Sequence, residues 1–243
     1  NYVTGKQGTR LDYVGFHSKG RTTFVDGHVR MGLGTNLANN RNGFAAVARF
    51  PEYRKTPIIL GECDPEGAAA LSSRVERANG YRNGSAYAAY EVALMKHSLD
   101  LAQREGVDLQ GVVTWAFLFE GKDYFEGFRT LSTNGIRKPV LNAFLLLGKL
   151  RGRRVPVTSS GALGIEQIMR SGIRGQPDID GLATVTPETV QIVLWNYHDD
   201  MVASPDAAVQ LTVKAPRNAK ESKRARVVHY RIDDTHSNAY TRW

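Results

Sequence analysis

Residues 57–67 read Pro57-Ile58-Ile59-Leu60-Gly61-Glu62-Cys63-Asp64-Pro65-Glu66-Gly67. Four apolar residues, two of them β-branched, stop abruptly at a glycine and three closely spaced acids, the pattern of a short buried strand opening into a polar loop. Upstream, Leu11 to Phe16 is a second short apolar segment, and Phe44 to Tyr53 has a helical pattern. Downstream, Ser85 as N-cap and Gly106 as C′ residue bracket a long helix. Its apolar side chains fall in two adjacent stripes, Tyr87, Tyr90, Leu94, Leu101 and Ala88, Val92, Met95, Leu99, Ala102. Val112 to Phe119 (VVTWAFLF) is nearly all apolar, as a strand covered on both faces by helices should be. Pro139 at an N1 position opens a last helix through Leu150.

Three strand–helix units in succession build a parallel sheet. A (β/α)8 barrel uses about 31 residues per unit, so this stretch holds about three units and lacks about five. The expectation is an α/β fold: part of a (β/α)8 TIM barrel within a larger catalytic chain. After Leu150 the texture changes. Val190 to Tyr197, Val209 to Val213 and Val227 to Ile232 are strand-like and separated by Gly, Pro, Asn and Asp clusters, which predicts an all-β sandwich. The predicted division is 1–152 for the barrel portion and 153–243 for the sandwich.

The chain has 243 residues and a formal charge of +8, with 42% hydrophobic and 23% charged residues, which excludes wholesale disorder and fibrous repeats. The longest apolar run, Ala143 to Leu147, is far short of the roughly 20 residues a membrane helix needs, so the chain reads as soluble with no membrane partner. The basic excess sits in two runs, 149–154 (KLRGRR) and 214–226 (KAPRNAKESKRAR), leaving the remainder near neutrality. Neither run contains an aromatic residue, so both read as solvated segments rather than a nucleic-acid surface. Cys63 is the single cysteine, and the compartment, cytoplasmic or periplasmic/secreted, stays open, as does a homo-oligomer.

In a barrel the catalytic side chains sit at the C-terminal ends of the strands. There the sequence places His17 and Lys19, then Glu62 and Asp64, then Trp115 and Glu120. Glu62, directly after PIIL, is the sharpest candidate: a carboxylate held by a rigid sheet yet open to a cleft suits a nucleophile or general base. The bland alternative is a strand-end carboxylate bonded to loop amides. His17 and Lys19 are read as alternating in direction, so that one of them at most faces the pocket. Trp115 is either core or a platform for the apolar face of a sugar, and Glu120 either binds hydroxyls or lies on the surface. No metal-ligand spacing, phosphate loop, dinucleotide fingerprint or nucleophile elbow occurs, so no metal or cofactor is expected. His229, Asp233 and His236 read as a hydrogen-bonded corner rather than a ligand set.

Four stretches, DYVGFHSKG (12–20), PIILGECDPEG (57–67), TWAFLFEG (114–121) with YFEGFRTLSTNGIRKPVLNAF (124–144), and HYRIDDTHSNAY (229–240), resemble glycoside hydrolase family 39, which includes β-xylosidases and α-L-iduronidases. The resemblance implies a (β/α)8 barrel followed by a β-sandwich, with the strands described above as barrel strands six, seven and eight. It implies a retaining glycosidase in which Glu62 is the nucleophile, and His17, Lys19, Asp64, Trp115 and Glu120 line the sugar subsite. The family's acid/base, a Glu in Asn-Glu-Pro after strand four, has no counterpart in this sequence and is expected upstream of residue 1. Asp64, Glu66 and Glu126 are poor substitutes by position.

The leading expectation is an exo-acting retaining enzyme that releases terminal xylose from plant-type oligosaccharides. An α-L-arabinosidase or α-L-iduronidase is the alternative within the family, since Lys19 would suit a uronate carboxylate and Cys63 stands where xylosidases carry an aromatic residue. A non-catalytic carbohydrate-binding protein is the alternative of another class, and polyanion binding through the basic runs is a third.

Overall fold

The computed structural model describes residues 11–214 and 225–243. Three parallel strands, β1 (Val14–Lys19), β4 (Pro57–Asp64) and β5 (Asp108–Val112), form one sheet in the order β1-β4-β5. A small hairpin, β2 (Thr23–Val25) and β3 (His28–Arg30), precedes α1 (Leu33–Ala48); α2 (Ser85–Glu105) joins β4 to β5. A two-stranded turn, β6 (Ser132–Thr133) and β7 (Ile136–Arg137), leads into α3 (Pro139–Leu147). Each parallel strand is therefore followed by a helix, the repeating unit of an α/β barrel.

The helices cover one face of this sheet. Along β4, Ile58 and Leu60 are fully buried while Ile59 and Gly61 are half exposed, the alternation of a strand with one packed face. Leu37, Phe44, Tyr90, Leu94 and Leu101 of α1 and α2 join Ile58 and Leu60 in one core. Gly106 ends α2 in the left-handed conformation at φ 68° and Pro139 opens α3, as the local signals predict, but Ser85 is the first residue of α2 and not its N-cap: Gly84 holds that place, and Ser85 Oγ donates to Asp234.

Several expectations are corrected. The first helix spans Leu33–Ala48 rather than Phe44 to Tyr53: its first ten residues, LGTNLANNRN, bury Asn36 and Asn40 beside Leu33 and Leu37, so its inward face is half polar. Asn36 donates to the Asp64 carbonyl at 2.8 Å and accepts from Ser18 Oγ at 2.8 Å, and Asn40 donates to Ser98 Oγ at 2.8 Å. These satisfied amides take the place of the apolar stripe that pattern reading requires. On α2 the second stripe is partly wrong as well: Met95 and Leu99 are only half-buried, and Glu91, His97 and Ser98 are buried instead. The last strand is Asp108–Val112, not Val112 to Phe119; beyond the pairing of Val113 with Leu60 and Cys63 the backbone leaves the ladder, and Trp115 and Phe117 are 47% and 60% exposed.

After α3 comes an antiparallel sheet of three strands, β8 (Arg153–Val155), β9 (Asp178–Val185) and β10 (Val190–Tyr197), in the order β10-β9-β8, with α4 (Ile165–Ser171) between β8 and β9. It packs on α2. Among the described residues this sheet is a single layer with no second sheet against it, so the predicted sandwich is not shown. Residues 209–213 and 227–232 form no strand, and Val209, Leu211 and Val213 are all about half exposed. Their period-two pattern is real, but no partner strand turns it into a ladder. Conversely β9 (DIDGLATV) escapes pattern reading because its aspartates look loop-like, whereas here they are buried as ion-pair partners. Residues 215–224 of the second basic run lie outside the described residues; in the first run, Arg154 bonds Asp100 at 2.5 Å. Among the described residues, no helix is long and apolar enough to cross a membrane.

Candidate active site

The register between β1 and β4 aims the key carboxylate. Phe16 pairs with Leu60, but the next residue, His17, pairs with Glu62, leaving Gly61 as an extra residue on β4. Without this bulge Glu62 would share the parity of Ile58 and Leu60 and point under the helices. The bulge turns it to the opposite face. Cys63 then points to the helix side, against Asn36 and Asn40 of α1, and burial pushes its thiol far up. Asp64, paired with Lys19, returns to the face of Glu62. Gly61 permits the close approach, since a Cβ there would meet the His17 ring at 3.3 Å.

His17 and Lys19, two residues apart on one strand, share this face, contrary to the reading that set them in different directions. Lys19 Nζ donates to Glu62 Oε2 at 2.5 Å and to Asp64 Oδ2 at 2.5 Å, and His17 Nδ1 lies 3.9 Å from Glu62 Oε1. Asp64 is fully buried and also binds Arg129 Nη1, Thr114 Oγ1 and, at 3.4 Å, the Trp115 N–H. Arg129 Nε continues to Glu66 Oε1 at 2.9 Å, where Arg82 Nη2 at 2.8 Å and Tyr81 Oη at 2.8 Å also converge. Six side chains thus alternate in charge from the mouth inward: Glu62, Lys19, Asp64, Arg129, Glu66, Arg82.

The outer end of this chain meets solvent most. Glu62 keeps 26% of its side-chain surface, whereas Asp64, Arg129 and Arg82 keep none. The Lys19 hydrogen bond holds the Glu62 carboxyl below the usual range; partial burial works against it, and the positive charges of Lys19 and Arg129 add to it. Glu62 is therefore an ionised carboxylate with an open oxygen, as covalent attack at an electrophilic carbon requires. Glu66 is different: burial pushes its carboxyl up, but Arg82, Arg129 and Tyr81 hold it below the usual range. It is a poor proton donor, and Asp64 is enclosed by Lys19, Arg129 and Thr114, away from the mouth. Glu126 is half-buried; its carboxylate accepts from the Asp123 N–H and its backbone carbonyl from Ser73 Oγ. Among the described residues, none of these three carboxyls suits the general-acid role.

Trp115 continues the mouth beside Asp64. Its ring meets Phe119 edge-on at 5.4 Å, and Phe119 meets Phe128 at 5.5 Å, so an exposed indole with aromatic support flanks the carboxylates. Glu120 is exposed in the following loop, and no hydrogen bond or ion pair joins it to Glu62. Of the six candidate residues, five therefore gather at one strand mouth and Glu120 does not join them by contact. Arg129, Arg82, Thr114 and Glu91 were missed. Arg129 carried a signal, a lone cation between apolar Phe128 and Leu131, but its partners lie more than sixty positions upstream.

Other polar clusters do not share this chemistry. Asp233 accepts from the backbone N–H groups of Thr235 and His236 and from both their side chains, the hydrogen-bonded corner expected for that segment. A cavity of about 620 Å³ lies against it, lined by His229, Arg231, His236 and Arg242 among others. No carboxylate lines it, so the strand mouth is the candidate active site.

Strand-end carboxylates on a parallel sheet of strand–helix units, beside an exposed tryptophan, define an α/β protein with its candidate site at the carboxyl ends of the strands. The chain belongs to glycosyl hydrolase family 39, whose sequence model matches residues 2–243. It is similar to the alpha-L-iduronidase of Mus musculus, 25% identical over 264 residues that include all of this chain and 38% of that protein. Among solved structures it resembles a monomeric beta-xylosidase from Caulobacter crescentus CB15, with a TM-score of 0.52 and 18% identity, covering 77% of this chain and 34% of that one. That likeness supports a TIM-barrel-like α/β fold. The chain spans little more than a third of the length of each relative.

Proposed function

We propose that this chain supplies the nucleophile half of a retaining glycoside hydrolase. The observation that carries the reading is Glu62 itself: a half-exposed carboxylate, aimed into the strand mouth by a bulge and kept ionised by Lys19. Glu62 attacks the anomeric carbon of a terminal sugar while a second carboxyl, about 5–5.5 Å away, protonates the leaving oxygen and later activates water. That second group belongs to a segment outside the described residues. Trp115 offers its face to the sugar ring, and His17 and Lys19 border the carboxylate. Residues 1–152 form the barrel portion in this reading, and 153–243 an accessory β portion.

Two substrate classes remain. Xylose-terminated oligosaccharides are the first. A uronic acid such as an α-L-iduronide is the second, favoured by the similarity of this chain to 38% of an alpha-L-iduronidase and by the partly exposed cation Lys19 beside Glu62. Lys19 is already shared between Glu62 and Asp64, so a uronate has to compete with Asp64 for it.

The test is a screen of the full-length protein against nitrophenyl β-xyloside, α-arabinoside and α-iduronide, in wild type and Glu62→Ala. Turnover should fall by on the order of 10³-fold or more in the variant and recover with azide as external nucleophile. Full activity of Glu62→Ala would overturn the proposal, and hydrolysis of iduronide alone would select the second substrate class.

A further inference from the structure

Behind the ion chain lies an acid that the proposed mechanism does not use. Glu91, on the buried face of α2, is 1% exposed, and neither of its carboxyl oxygens has a hydrogen-bond partner among the described residues. The buried aspartates of the same interior are hydrogen-bonded: Asp64 by Lys19 and Thr114, with Arg129 as an ion-pair neighbour, Asp178 by His97 and Trp195, Asp199 by Tyr197. An ionised carboxylate left without partners in a protein interior costs several kcal/mol, whereas the neutral acid costs far less.

The titratable groups around Glu91 come from five parts of the fold. Tyr87 and Tyr90 share its helix, Cys63 and Asp64 face it from β4, Lys19 from β1, Arg129 from the loop after β5, and Tyr197 from β10. Burial, and next the negative charge of Asp64, raise its proton affinity well above that of an ordinary carboxyl; Arg129 and Lys19 oppose this. The same two cations hold Asp64, and one of them holds Glu62.

We propose that Glu91 is a positioning residue that carries a proton while the site works, and that loss of this proton draws Arg129 and Lys19 inward, away from Asp64 and Glu62. Ionisation would place a second negative charge behind the cations that fix the nucleophile. The site would then have an alkaline limit set from behind, by a group that touches no substrate. This inference rests on the role proposed above for Glu62.

The experiment combines infrared spectroscopy with kcat against pH on the full-length protein, using whichever aryl glycoside it hydrolyses. Wild type should show a carbonyl band of an un-ionised carboxyl at neutral pH, absent from Glu91→Gln and moved in Glu91→Asp. The band should fade over the pH range in which kcat falls. At the pH where wild type has lost half of its kcat, Glu91→Gln should keep about twice the wild-type value. No such band at neutral pH, or a band that fades while kcat holds, overturns the proposal. If Glu91→Gln does not fold, the wild-type titration and Glu91→Asp still decide. The infrared arm needs no turnover, so a protein with the band and no glycosidase activity refutes the enzymatic reading rather than the proton on Glu91.

Discussion

Two buried sets of charged side chains flank α2, and they are finished differently. Between α2 and the antiparallel sheet, Asp178 accepts from Trp195 Nε1 at 2.9 Å, His97 Nε2 at 3.2 Å and the Leu163 N–H at 2.8 Å, while Lys96 joins Asp100 at 3.0 Å and Asp180 at 2.6 Å. Each of these acids ends on a partner. At the strand mouth the chain from Arg82 to Glu62 runs out into solvent at a carboxylate and leaves Glu91 behind it unpaired. Closed sets of buried charge fasten elements together; a set left open at one end and unbalanced at the other carries a cost that packing alone does not explain. In the function proposed above, the first set, which reaches solvent at the Asp100–Arg154 pair, serves stability, and the second serves chemistry.

Substitutions that strike the two sets should separate along this line. The largest effect is expected from Arg129→Met, which strips a fully buried cation from Asp64 and Glu66. Urea denaturation should show a loss of about 3–5 kcal/mol, because two acids lose compensation in the interior. A small loss would mean that Lys19 and Arg82 suffice. Asp178→Asn comes next. Burial pushes the Asp178 carboxyl up, but bonds from His97, Leu163 and Trp195 hold it below the usual range. Its stabilisation is therefore complete above the unfolded value near 3.9 and is lost as pH falls through the folded value. The variant should be about 2 kcal/mol less stable at neutral pH, with the gap closing below about pH 4 and kcat unmoved. A fall in kcat at constant fold would break the division of roles.

The smallest effect concerns Lys19→Met, which removes the main cause of the low Glu62 pKa. The acid limb of kcat/KM should move to higher pH, since Glu62 would hold its proton more tightly. Neutral-pH kcat/KM should fall by about tenfold. An unmoved acid limb would show that Lys19 does not set the charge of Glu62.

Much of the strand mouth was legible in sequence because strand ends announce themselves: PIIL stopping at Gly61-Glu62 gives both the element and the residue at its tip. The alternation of strand and helix gave the α/β class for the same reason. What escaped was whatever depends on partners distant in sequence. The polar half of α1 is helical because Asn36 and Asn40 find Asp64 and Ser98, and β9 is a strand because Trp195, His97 and Lys96 neutralise its aspartates. In the opposite sense, residues 209–213 show strand periodicity but pair with no strand among the described residues. Gly61 reads as the end of an apolar run, yet it is the bulge that decides which face Glu62 occupies, and periodicity carries no sign of it.

The central claim is that Glu62 forms the covalent bond to the sugar. Incubation of the full-length protein with an activated 2-fluoro glycoside of the hydrolysed sugar, followed by mass spectrometry of its peptides, tests it directly. The account predicts a single glycosyl adduct in the peptide spanning residues 57–67, located on Glu62. An adduct on any other carboxylate, Asp64 and Glu66 included, would contradict it.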